Sequence, residues 1–143
     1  RKALSRRSYR AVGLGGYDEA IANFGAAIRC YELGGEKMQK DLMSCYAGFG
    51  DTLYKMGDFN GAYVKRAVAF RIYEEVFGAD SVNLLRAKYY ALMAGDLAGL
   101  GNKTEALQNY EKALKVANKI LEKSNDKHAK SLKTELEAKI KEL

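Results

Sequence analysis

The 143-residue chain has no proline, no tryptophan, one histidine (His128) and two cysteines, Cys30 and Cys45. Each scarcity closes off a class of protein. Without proline to break helices, and with few β-branched clusters, the composition leans to helix. A single histidine and two separated cysteines offer no pair at metal-ligand spacing. The cysteines fall in different predicted helices, each with apolar neighbours at helical spacing. They are expected to be buried free thiols, and cysteine use this sparse gives no sign of an oxidising compartment. No apolar run approaches the ~20 residues of a membrane span.

Catalytic signals are equally thin. His128 falls near the start of the last predicted helix, where an N-cap or solvent contact accounts for it. Gly13-Leu14-Gly15-Gly16 has no strand before it and no Gly-Lys-Ser/Thr after it, so it reads as a turn, not a phosphate loop. No pair of carboxylates falls in a predicted pocket. The sequence reads as a non-enzyme that needs neither cofactor nor metal.

What is present is a repeat. Hydrophobic residues make up 48% of the chain, enough for a packed core. Leu100-Gly101 leads into a helix with Ala106, Tyr110 and Ala113 on one face. The same skeleton appears at Met56-Gly57 with Ala62, Arg66 and Ala69, and at Leu14-Gly15 with Ala20, Phe24 and Ala27. The glycines are 42 and then 44 residues apart, and so are the first alanines. A fixed period of this size marks a stacked array of one supersecondary unit.

Hydrophobic periodicity then predicts seven helices. The first covers residues 2–12. The second is opened by Asp18 and Glu19 and stopped by Gly34-Gly35. A third runs from Glu36 to Met56 and a fourth over 59–77, ended by Gly78. Asp80 or Ser81 is expected to cap the fifth, which reaches about Leu100. Thr104 and Glu105 begin the sixth, to about Lys123. Ser124-Asn125-Asp126 breaks it with good N-cap chemistry. The last helix carries Ala129, Leu132, Leu136, Ile140 and Leu143 on one stripe with charge elsewhere, as a terminal cap requires for solubility.

These residues resemble the tetratricopeptide repeat, with Tyr46, Phe49, Gly50 and Leu53 and then Gly57, Phe59, Ala62 and Ala69 in the middle copy. The third copy carries Tyr90, Met93, Ala94 and Leu97, then Gly101, Ala106, Tyr110 and Ala113. The first keeps Gly15, Tyr17, Ala20, Phe24 and Ala27, with a degenerate opening helix of Leu4, Arg7 and Ser8. The period, and the stretch Ala-Phe-Arg-Ile-Tyr-Glu-Glu-Val-Phe-Gly over 69–78, are similar to the kinesin light chain subtype. Arg66 departs from the expected aromatic, which predicts a looser middle junction or a rotated helix. The resemblance implies an all-α helical-repeat solenoid. Three helix pairs (about 2–35, 36–78 and 79–124) would form a right-handed superhelix, with a C-terminal capping helix over 126–143.

In that architecture the first helix of each pair lines a concave groove. The resemblance places Lys2, Tyr9, Ser44, Asp51, Tyr54, Lys55 and Lys88 there, with Ser5, Ala47, Ala91 and Gly95 between them. It implies a scaffold that binds a peptide or helix of a protein partner. The alternative is an accessory subunit of a larger assembly, using convex faces and edges. The carboxylate clamp known in some relatives is not matched: Ser5, Tyr9, Gly48 and Leu92 occupy its positions, leaving Lys88 alone.

Net charge is +6, distributed as +5 over residues 1–10, −2 over 11–57, 0 over 58–100 and +3 over 101–143. The surplus is not one stripe, and in the last segment lysines are mixed with acids. This argues against nucleic acid as the partner. The chain opens on Arg1 and not on methionine, which points to processing or to a piece of a longer protein. Arg1, Lys2, Arg6, Arg7 and Arg10 fit the end of an organelle-targeting segment or the polar face of a helix equally well. Otherwise a cytoplasmic location is expected.

Overall fold

The computed structural model describes residues 16–143, and every regular element among them is helical. The six α-helices are α1 (Tyr17–Leu33), α2 (Gln39–Lys55), α3 (Phe59–Phe77), α4 (Leu84–Gly99), α5 (Lys103–Lys123) and α6 (Lys127–Glu142). A 3-10 turn, Gly35–Met38, precedes α2, so the third expected helix is α-helical only from Gln39. The helix expected over 2–12, with Leu4, Arg7 and Ser8, lies outside the described residues. The chain divides into two compact units, the first ending at Val76 and the second covering Phe77–Leu143.

One turn design joins α2 to α3 and α4 to α5. Gly57 (φ 85°) and Gly101 (φ 82°) take the left-handed conformation that a Cβ would strain. In the first turn, Gly57 N–H donates to Tyr54 O (2.9 Å) and Asp58 N–H to Leu53 O (2.9 Å). In the second, Gly101 N–H donates to Ala98 O (3.0 Å) and Asn102 N–H to Leu97 O (2.9 Å). Both are Schellman closures, which occupy the last carbonyls of the helix. The residue after each glycine caps the next helix. The Asp58 carboxylate accepts from Gly61 N–H at 2.9 Å, and the Asn102 side chain accepts from Glu105 N–H at 3.2 Å.

The repeat register is therefore physical. Ala62 N–H donates to Asp58 O and Ala106 N–H to Asn102 O, as Ala20 N–H does to Gly16 O, at 3.0, 3.1 and 3.0 Å. The three alanines hold the same position in their helices. Ala62 and Ala106 are fully buried, and Ala20 is half-buried.

In the first unit, the Phe24 ring of α1 stacks on Phe49 of α2 with centroids 5.6 Å apart. Its edge closes on Gly48, where a Cβ would come within 3.0 Å of it. Helices α2 and α3 cross at Gly50, where a Cβ would meet Arg66 Cγ at 2.8 Å and Ala62 O at 3.2 Å. In the second unit, Ala87 and Ala94 of α4 pack with Tyr110, Ala113 and Val116 of α5, and Leu132 and Leu136 of α6 close the cluster. Ile140 and Leu143 pack against its margin, so the apolar stripe of α6 faces this core as its spacing predicts.

Three of these expectations need correcting. The start of α4 is capped by Asn83, which accepts from Arg86 N–H at 3.1 Å, and not by Asp80 or Ser81. The reason is Arg86, whose guanidinium bonds the carbonyls of Gly78, Ala79 and Ser81 and holds them in a loop. Thr104 does not open α5, because Asn102 already caps it. Cys30 is exposed and not buried. Ile28 takes the buried position of α1, and Cys30 lies roughly 200° further round the helix. Cys45 is free and half-buried; its thiol faces Phe24 O at 3.9 Å, and burial pushes its pKa up. At Arg66, where the sequence predicts a looser junction or a rotated helix, the α2–α3 crossing keeps the arginine stem close to Gly50.

Candidate partner-binding surface

Residues Ser44, Asp51, Tyr54 and Lys55 lie on one face of α2, spaced by seven, three and one, and all four are exposed. Beneath them sits Arg66 of α3, only 3% exposed. Its Nη2 donates to Asp51 Oδ1 at 2.9 Å, and the Asp51 side chain remains 55% exposed. The same guanidinium lies 5.3 Å from the centroid of the Tyr54 ring, and Phe59 meets that ring edge-on at 5.1 Å. Arg66 therefore fills the aromatic's place with its stem and turns its head toward α2. There it fixes a carboxylate and a tyrosine that are both still open to a partner.

This arrangement gives the α2 face two preorganised contact groups. Asp51 is held by a charge-assisted bond, and Tyr54, 42% exposed, is supported on both its face and its edge. On the same helix, burial, then the nearby charge of Glu32, push the Tyr46 phenol pKa up, with Arg71 acting in the opposite direction.

In the second unit Lys88 is exposed on α4, and Leu92 is exposed one turn on. Ala91, expected on the open face, instead packs against the core cluster. Gly95 is half-buried, with the Tyr110 hydroxyl 3.9 Å from where its Cβ would be. Lys2 and Tyr9, with Ser5, lie outside the described residues. The structure thus brings Ser44, Asp51, Tyr54 and Lys55 together and places Lys88 on another unit.

Arg66 was not among the expected site residues. Its signal was available, since an arginine at an aromatic's core position requires a carboxylate nearby, and Asp51 stands on the preceding helix. Among the described residues no group of three or more His, Cys, Asp or Glu could hold a metal ion, and no helix is long and apolar enough to cross a membrane.

Residues 86–129, spanning most of α4, all of α5 and the first turn of α6, match the tetratricopeptide repeat family. No curated protein and no solved structure matches the chain. The match and the register of α2–α3 and α4–α5 support an all-α helical-repeat protein of tetratricopeptide type. Such repeats usually bind protein partners.

Proposed function

We propose that the chain is a protein–protein interaction scaffold whose α2 face receives a peptide or helix from a partner. The observation that carries the reading is the Arg66 anchor beneath Asp51 and Tyr54. A surface group held from below loses little freedom on binding, so more of its contact energy appears as affinity. The 44-residue spacing of the two turns supports the long-period subtype typified by kinesin light chains. The test is a pull-down from the native source with the wild type and with Tyr54→Ala plus Lys55→Glu. Loss of a specific partner from the variant is expected; undiminished recovery would count against this face.

A second reading, a subunit of a larger assembly, is favoured by Leu33, which is 90% exposed at the end of α1. Size-exclusion chromatography with light scattering separates the two. A monomer supports the binding module, and a constitutive oligomer supports the assembly part.

A further inference from the structure

We infer that the second unit carries a separate docking trough for an acidic, extended segment of a partner protein, between the 79–82 loop and one face of α5. Two clefts, of about 310 and 550 Å³, share Val82 and Lys119 and so run on from one another. One wall is Lys112, Lys115, Lys119 and Lys123, all exposed and spaced by three, four and four, which places them on a single face of α5. The other wall is the loop.

That loop is a fixed wall because Arg86, 6% exposed, is bonded into it. Its Nε donates to Ser81 O at 2.7 Å, and its Nη2 to Ala79 O at 2.8 Å and Gly78 O at 3.1 Å. The guanidinium also offsets the negative ends of those carbonyls, so the loop's backbone opposes an approaching carboxylate less and Asp80 is the acid left in that wall. Val82, 48% exposed, with Ile120 and Val116, gives the trough an apolar surface between its charged rims.

The spacing selects an extended chain. From Lys112 to Lys123 is about 16 Å along the helix, and Lys115, Lys119 and Lys123 follow at steps of about 6 Å. Alternate side chains of an extended strand recur at about 6.6 Å. Acidic residues at alternate positions would meet successive lysines, while the intervening side chains turn toward Val82. A nucleic acid fits less well. Asp80 and Glu122 also line the trough, so an anion fits only where its charges alternate with neutral positions, as an acidic-apolar peptide provides and an unbroken phosphate backbone does not. The lining ring, Tyr90, is half-buried with the Lys112 ammonium 5.8 Å from its centroid, so a base would compete with that lysine to stack on it. Summing charge by segment hides this stripe; sorting by helix face reveals it.

The trough lies within Phe77–Leu143, and the α2 surface belongs to the other unit. The test is fluorescence anisotropy on the full 143-residue chain with a labelled Glu-Leu-Glu-Leu-Glu peptide. The comparison ligands are Gln-Leu-Gln-Leu-Gln and an oligothymidine. Binding of the acidic peptide is expected to fall at least about tenfold in Lys115→Glu plus Lys119→Glu, where two attractions become repulsions. Lys115→Gln plus Lys119→Gln should give a smaller loss, and Tyr54→Ala plus Lys55→Glu none. Equal binding by the reversed variant or by the glutamine peptide would overturn the proposal. So would an oligothymidine that binds more tightly than the acidic peptide with the steep salt dependence of phosphate contacts.

Discussion

Transplanting the α4–α5 crossing onto α2–α3 tests the repeat register directly. Forty-four residues separate Gly50 from Ala94 and Arg66 from Tyr110. The second unit thus accommodates an alanine opposite a tyrosine where the first pairs glycine with arginine. In a helix interior Gly→Ala gains roughly 1 kcal/mol of propensity. At Gly50 the new methyl would stand 2.8 Å from Arg66 Cγ and 3.2 Å from Ala62 O. Forcing the stem and backbone apart costs about 1–3 kcal/mol, so Gly50→Ala should destabilise by about 1 kcal/mol net. Arg66→Tyr alone removes the bond to the half-exposed Asp51, worth on the order of 1 kcal/mol.

Together the two changes recreate the Ala94–Tyr110 pairing, and the methyl no longer meets the arginine stem. The double variant should therefore be more stable than the sum of the singles predicts, by at least about 1 kcal/mol. Urea unfolding followed by far-ultraviolet circular dichroism, compared at constant slope, supplies the four free energies of the cycle. Additivity within about 0.5 kcal/mol, or a Gly50→Ala protein more stable than wild type, would refute the reasoning.

Three further outcomes follow from the same packing. Gly95→Ala should stabilise by about 0.5–1 kcal/mol, because its Cβ meets only the Tyr110 hydroxyl at 3.9 Å; a lowered urea midpoint would contradict this. Leu136→Ala, in the core beneath α6, should cost about 2–5 kcal/mol, read as a lower midpoint, and a loss under about 1 kcal/mol would show that α6 does not close this core. Iodoacetamide should modify Cys30 before Cys45, since Cys30 is exposed whereas burial raises the Cys45 pKa and lowers its thiolate fraction. The Cys45 rate should keep rising as the solution is made more alkaline, and equal rates for the two thiols, measured by peptide mass mapping, would be inconsistent with this.

The helices and the Gly57 and Gly101 turns were legible because a repeat states the same local chemistry more than once. Gly-Asp and Gly-Asn, each followed by alanine four residues later, specify a left-handed closure and a cap without help from distant residues. The cap of α4 was not legible. Asp80, Ser81 and Asn83 all have N-cap chemistry, and the choice among them falls to Arg86, which engages the carbonyls of 78, 79 and 81 from inside the next helix. Cys30 was misplaced because apolar neighbours at helical spacing do not say which side of the helix the cysteine itself takes. On the candidate surface, the exposure of Ser44, Asp51, Tyr54 and Lys55 on one face of α2 was readable from register. Ala91 was not, because a small residue suits an open face and a close-packed one equally well.

Arg66 shows why departures from a repeat pattern carry information that the pattern does not. A consensus aromatic at that position would contribute packing alone. The arginine contributes packing through its stem at Gly50 and, through its head, order to Asp51 and Tyr54 on the outer face. Crossing and surface are therefore mechanically joined at one side chain. A substitution at Asp51 disturbs both, so lost binding there would not distinguish a lost contact from a lost scaffold. Lys55 lies on the same face outside the Arg66 contacts described above, so charge reversal at that position reads the surface alone. If Lys55→Glu lowers partner recovery while the urea midpoint stays put, the α2 face is the contact and not merely its support.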